Sequence, residues 1–222
     1  MTFESSKTLS GLGALLLFIS AIVLFVLPTA ALVVGIAGLL MLLVGLNGLA
    51  GYYKERGIFN NALFSVIIAV VGAVLVFVIA VYVTLSSITP IINELYPGWN
   101  GDWTSLPNMT PNPDAFTSGD ISTILPFLTG LAAIWVITWV VAIISSFFAR
   151  RALNAIGEKS GTGLFGTAGL VILIGAFLGV VFFGYLLLWI GLLLAAIAFF
   201  QLRPSAPLEP TYTAAPPEPT TL

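Results

Sequence analysis

Cysteine and histidine are both absent from the 222 residues, and the chain holds only seven Lys or Arg and nine Asp or Glu. Without thiols it forms no disulfide and carries no thiolate nucleophile. Without imidazole it loses the commonest acid–base group and the commonest ligand of zinc and iron. Charged residues make up 7% of the chain, against about 25% in a soluble domain. So few charges cannot cover a water-facing surface, and lipid is the expected solvent for most of the molecule. A net charge of −2 with so few basic groups argues against a nucleic-acid partner. What the chain does have is apolar length, at 59% hydrophobic residues. The expected fold class is all-α, a polytopic helical membrane protein of about six transmembrane helices, with two hairpins flanking a central helix pair.

A bilayer core about 30 Å thick takes roughly 20 apolar residues as helix. Such runs fall at residues 9–27, 30–49, 58–87, 124–149, 164–182 and 185–202, all within one domain, 1–203. The last two come from one stretch of 39 residues, Leu164–Leu202, about 58 Å as a single helix; Gly179 to Gly184 is the expected turn within it. Residues 88–122 hold Pro90, Pro97, Pro107, Pro111 and Pro113 and read as an extracellular loop, and residues 152–163 read as a short polar loop. Residues 204–222 are Pro-rich and read as a disordered cytoplasmic tail. Lys7 ahead of the first run, with small residues at Thr29–Ala31, also fits a signal peptide. That run, however, exceeds the usual apolar region of about 7–15 residues and a second follows at once, so it is expected to stay as a helix.

Six spans put Lys7, Lys54, Arg56, Arg150, Arg151, Lys159 and Arg203 on one side. Glu94, Asp102, Asp114 and Asp120 fall on the other, in a loop without Lys or Arg. The positive-inside rule then makes both termini cytoplasmic. No Asp, Glu, Lys or Arg lies inside a span. A central charge costs about 2.5–3.5 kcal/mol and is normally kept for proton relay, ion coupling or voltage sensing, so those functions are not expected. Intramembrane polarity is limited to groups such as Ser20, Ser65, Thr84, Thr138, Ser145 and Ser146.

Along the second run, Ala31, Gly35, Gly38 and Gly45 share one helical face, which permits close helix packing, either inside the chain or with a second copy. Gly161-Thr-Gly163-Leu-Phe-Gly166 spells the G-x-G-x-x-G string of dinucleotide sites. It lacks the preceding strand and the acid about 20 residues on, so no nucleotide, cofactor or metal is expected and no catalytic residue is assigned. Asn108-Met109-Thr110 is a glycosylation sequon, with Pro111 expected to lower its occupancy. Tyr96, Trp99 and Trp103 fit a membrane-surface position or a partner contact. Glu4–Ile19 and Glu158–Ile174 open alike, each with an acid, a Ser/Lys/Thr segment and spaced glycines. That likeness is either a parallel repeat of a hairpin or shared membrane composition.

Gly51–Leu63 (GYYKERGIFNNAL), Arg150–Ala176 (RRALNAIGEKSGTGLFGTAGLVILIGA) and the opening Glu4–Gly13 (ESSKTLSGLG) resemble the family of domain of unknown function 996, largely archaeal integral membrane proteins. The resemblance covers roughly Glu4–Arg203 and implies an archaeal plasma membrane; it carries no activity and no functional residue. Three readings follow. The leading one is a non-enzymatic structural or interaction subunit, whose partners are membrane lipid and either itself or other membrane subunits. The second is a passive channel or transporter for a small neutral solute or ion. The third is a membrane enzyme using loop acids alone.

Overall fold

The structure is a computed structural model that describes residues 1–24, 26–115, 122–181 and 183–204. Asp120 and the Pro-rich tail from residue 205 lie outside the described residues. Among the described residues six α-helices account for the fold: α1 (Phe3–Val23), α2 (Pro28–Tyr52), α3 (Arg56–Leu95), α4 (Leu125–Ser160), α5 (Leu164–Phe177) and α6 (Phe183–Gln201). All six are long and apolar enough to cross a bilayer, α5 together with the 3₁₀ turn Leu178–Val181 that continues it.

The helix ends follow local chemistry. The Thr2 hydroxyl accepts the Ser5 amide at 3.3 Å and caps α1. Pro28 opens α2, where its missing N–H costs nothing. The Glu55 carboxylate accepts the Gly57 amide at 3.2 Å at the start of α3. The α4 helix ends at Gly161, whose φ of 70° is a left-handed cap that glycine reaches without strain.

Two helices run further than the sequence suggests. At 40 residues, α3 is about 60 Å long and passes through Pro90 into the expected outer loop. Val83 and Ser87 keep it buried on one face. The α4 helix has 36 residues and continues past Arg150 and Arg151 to Ser160. Most of the expected polar loop at 152–163 is therefore helix, because Ala152, Leu153 and Ile156 are buried in a core. By contrast, the turn between Gly179 and Gly184 falls where the sequence places it.

The helices form a closed ring in chain order. Within the α1–α2, α3–α4 and α5–α6 hairpins contact is extensive, α1 meets α6, α4 meets α5, and α2 meets α3 only sparsely. The α1–α2 and α5–α6 hairpins thus flank α3–α4 and also touch each other. Each hairpin is zipped by glycine. A Cβ at Gly38 would sit 2.9 Å from the Gly13 carbonyl oxygen, and one at Gly72 or Gly130 would strike Val141 or Val83. A Cβ at Gly175 would come within 2.9 Å of the Gly184 carbonyl oxygen. Between apolar helices in lipid there is little hydrophobic drive, so close backbone approach over small residues supplies the packing.

The outer surface changes character at one level. Exposed Leu12, Val44, Phe64, Phe147, Leu170 and Phe200 mark its apolar side, and Thr8, Asn47, Asn60, Arg151, Thr167 and Gln201 its polar side. The Arg151 guanidinium lies 4.5 Å from the Phe147 ring centre, straddling that edge. From Phe64 to Val81 the exposed face of α3 stays apolar for about 26 Å, most of the thickness of a bilayer core, before exposed Tyr82 and Thr84. Beyond the edge, towards the basic residues, large side chains are buried: Leu49, Ile58, Ile156, Phe165 and Leu202. These side chains pack as a conventional hydrophobic core.

Candidate functional site

The glycine face of α2 is occupied from within the chain. Ala31 is 4% exposed. A Cβ on Gly35 would touch the Ser20 hydroxyl at 3.4 Å, one on Gly38 would meet the Leu16 Cβ at 2.8 Å, and one on Gly45 would meet the Ser10 amide at 2.6 Å. All three partners belong to α1. The same interface includes Gly48 against Ser6, and Gly13 against Gly38 and Leu42, residues that the α2 periodicity alone does not reveal.

Hydroxyls in the apolar belt are bonded close to home. Ser20 donates to the Leu17 carbonyl at 2.8 Å and Thr138 to the Ile134 carbonyl at 2.8 Å. Ser145 donates to the Ser65 carbonyl at 3.0 Å and lies hydroxyl to hydroxyl with Ser65 at the same distance, tying α4 to α3. Two indoles join hairpins. Trp189 donates to the Phe18 carbonyl at 3.2 Å and stacks on the Phe18 ring, and Trp139 donates to the Phe177 carbonyl at 3.1 Å.

Along the ring axis an apolar cavity of about 110 Å³ is lined by all six helices, among them Ala14, Leu46, Ser65, Ala152, Ile172 and Ala195. On the basic side the axis is filled. Phe165 and Phe199 meet edge to face with ring centres 4.9 Å apart, and Leu49, Ile58, Ile156 and Leu202 are at most 1% exposed.

The loops at the basic end are built rather than merely charged. The Lys159 ammonium lies 3.5 Å from the Glu55 carboxylate, joining the end of α4 to the α2–α3 connection. Tyr53, in that connection, has its hydroxyl buried without a hydrogen-bond partner among the described residues, and burial pushes its pKa above the usual phenol value. The G-x-G-x-x-G string serves the chain reversal: Gly161 is the left-handed cap and Gly163 precedes α5. Next to it an open groove of about 720 Å³ runs between the α4–α5 turn and the ends of α1 and α6. Lys7, Ser160, Thr162, Phe200 and Arg203 line it.

At the other end, Asn108 is exposed in a short 3₁₀ turn, Leu106–Asn108, which leaves its amide open to modification. Trp99 donates to the Asp102 carbonyl at 2.9 Å and packs against Trp103, so this aromatic pair holds the loop's own shape. The Asp102 carboxylate accepts from the Thr104 hydroxyl at 2.7 Å and amide at 2.9 Å, which holds its pKa below the usual carboxylate value. Among the described residues no three acids cluster as metal ligands.

A closed ring of six apolar helices, glycine-zipped and packed at one end, defines a polytopic helical bundle of bilayer-crossing dimensions. The chain belongs to the family described as Protein of unknown function (DUF996), which matches residues 34–193. It is also similar to an uncharacterized protein of Methanocaldococcus jannaschii, 22% identical over 202 residues, which is 91% of this chain and 94% of that relative. No solved structure matches.

Proposed function

We propose that the protein is a non-enzymatic integral membrane subunit, whose role is to pack against another membrane protein. The observation that carries this reading is the filled axis. Phe165, Phe199, Ile58 and Ile156 occupy the line a solute would take on the basic side, and the hydroxyls of Ser20, Ser65, Thr138 and Ser145 are hydrogen-bonded within the chain. What the ring leaves open is lateral. The α2 and α3 helices meet sparsely, and exposed Ile36, Leu40, Val71 and Leu75 give the two helices apolar surface that a partner helix can share with lipid. The seven basic residues at one end, against Glu94, Asp102 and Asp114 at the other, support an orientation with both termini in the cytoplasm, in a plasma membrane.

The test is recovery of the tagged protein from native membranes in neutral detergent. A stoichiometric membrane partner, crosslinked through cysteines placed at Ile36 or Val71, is the expected result. A chain that always runs alone overturns the reading. The second reading, passive permeation of a small neutral solute or ion, is supported by the cavity that all six helices line. Solute-specific flux into proteoliposomes would establish it in place of the first.

A further inference from the structure

We propose that the groove beside the α4–α5 turn binds the phosphate diester headgroup of an anionic membrane lipid. Lys7 of α1 and Arg203 at the end of α6 bring two cations to one groove, lined also by Ser160 and Thr162 and, among the described residues, by no acid. Lys7 makes one ion pair, 3.9 Å long, to Glu4, whose side chain is 66% exposed, so the pair holds it weakly, and Arg203 has no ion pair among the described residues. The basic residues elsewhere at this end are differently placed: Lys159 pairs with Glu55, and Arg151 covers Phe147. Two cations beside hydroxyl residues are the chemistry that recognises a phosphate oxygen pair.

Position selects a lipid over a free phosphate. Phe200 forms part of the groove and is also the last exposed apolar residue of α6 before Gln201. Its ring lies across α1 at Gly11, close enough that a Cβ there would come within 2.9 Å of it. Leu12, next along α1, is exposed on the same apolar belt. The groove therefore opens at the level where headgroups meet chains. A diester seated on Lys7 and Arg203 would run its acyl or isoprenoid chain past Phe200 into the belt.

The inference rests on the bilayer placement proposed above but not on a protein partner, so its failure and the failure of partner recovery are separate results. The full chain in neutral maltoside detergent is titrated with short-chain phosphatidylglycerol, with phosphatidylcholine of the same chains, and with glycerol phosphate. The melting midpoint and native mass spectrometry are the readouts. Phosphatidylglycerol should raise the midpoint saturably and remain bound, while phosphatidylcholine does neither. Lys7→Gln with Arg203→Gln should weaken that response about tenfold or more, the scale of lost charge-assisted contacts, while Lys54→Gln leaves it unchanged. Arg203 is exposed, so Arg203→Gln alone carries the test if the double variant does not fold. Equal responses to the two lipids, or an undiminished response in the variants, overturn the site. Glycerol phosphate acting at the same concentration as phosphatidylglycerol overturns the lipid assignment.

Discussion

Tyr53 and Ser10 hold buried hydroxyls with no hydrogen-bond partner among the described residues. An unpaired buried hydroxyl costs free energy that an isosteric apolar group does not. Tyr53→Phe should therefore leave stability unchanged or raise it by up to about 1 kcal/mol, read as an equal or higher melting midpoint. The same residue sets an alkaline limit. Because its folded pKa lies above 10.0, the folded state retains this proton longer, so its contribution is full below pH 10.0 and falls as pH rises towards the folded value. Absorbance titration should show one late-ionising tyrosine that disappears in Tyr53→Phe. On the glycine face, Gly38→Leu should lower detergent stability by roughly 1–3 kcal/mol or more as α1 and α2 are forced apart. Leu40→Ala, at a position 56% exposed, should cost little. Equal melting of the two would place the face against lipid. Gly35, Gly38 and Gly45 can be read from their spacing, because helical periodicity is a local property. Their partners Ser10, Gly13 and Leu16 cannot, because the register between two helices is not written in either one.

The three hairpins differ in reach. On α3 the apolar face alone covers about 26 Å, whereas the connections after Val23 and Phe177 turn back sooner and expose Val26, Leu27, Val180 and Val181. These turns contain no charged residue, so on the bilayer placement proposed above they are expected at the chain–headgroup boundary. The absence of native cysteine makes this measurable. In intact cells an impermeant thiol reagent should label a cysteine at Ser105 quickly, one at Val26 slowly, and one at exposed Glu158 not at all. Rapid labelling at Glu158 would reverse the orientation. The break between α5 and α6 was legible because a single helix of that stretch is nearly twice too long for a bilayer. The overrun of α4 was not: Arg150 and Arg151 mark the edge of the apolar belt, and a helix is free to continue past it wherever Leu153 and Ile156 find a core.

Taken whole, the molecule is tightest at its basic end. Phe199 is 1% exposed at the packed end, whereas Phe64 is 53% exposed on the belt. Phe199→Ala should therefore cost about 3–5 kcal/mol through the cavity it leaves, and Phe64→Ala much less; thermal melts of both in one detergent decide this. Composition alone could not reveal such a gradient, because the same aliphatic residues serve lipid at one level and a core at another. The contact between α1 and α6 has a further effect, on how the protein is made. The bond from Trp189 to the Phe18 carbonyl joins residues 171 positions apart. Each hairpin can close as it leaves the ribosome, but the ring waits for α6, whose Trp189 is made 171 residues after its α1 partner. Until α6 arrives, α1 holds its Gly11 face and Phe18 carbonyl without their final cover.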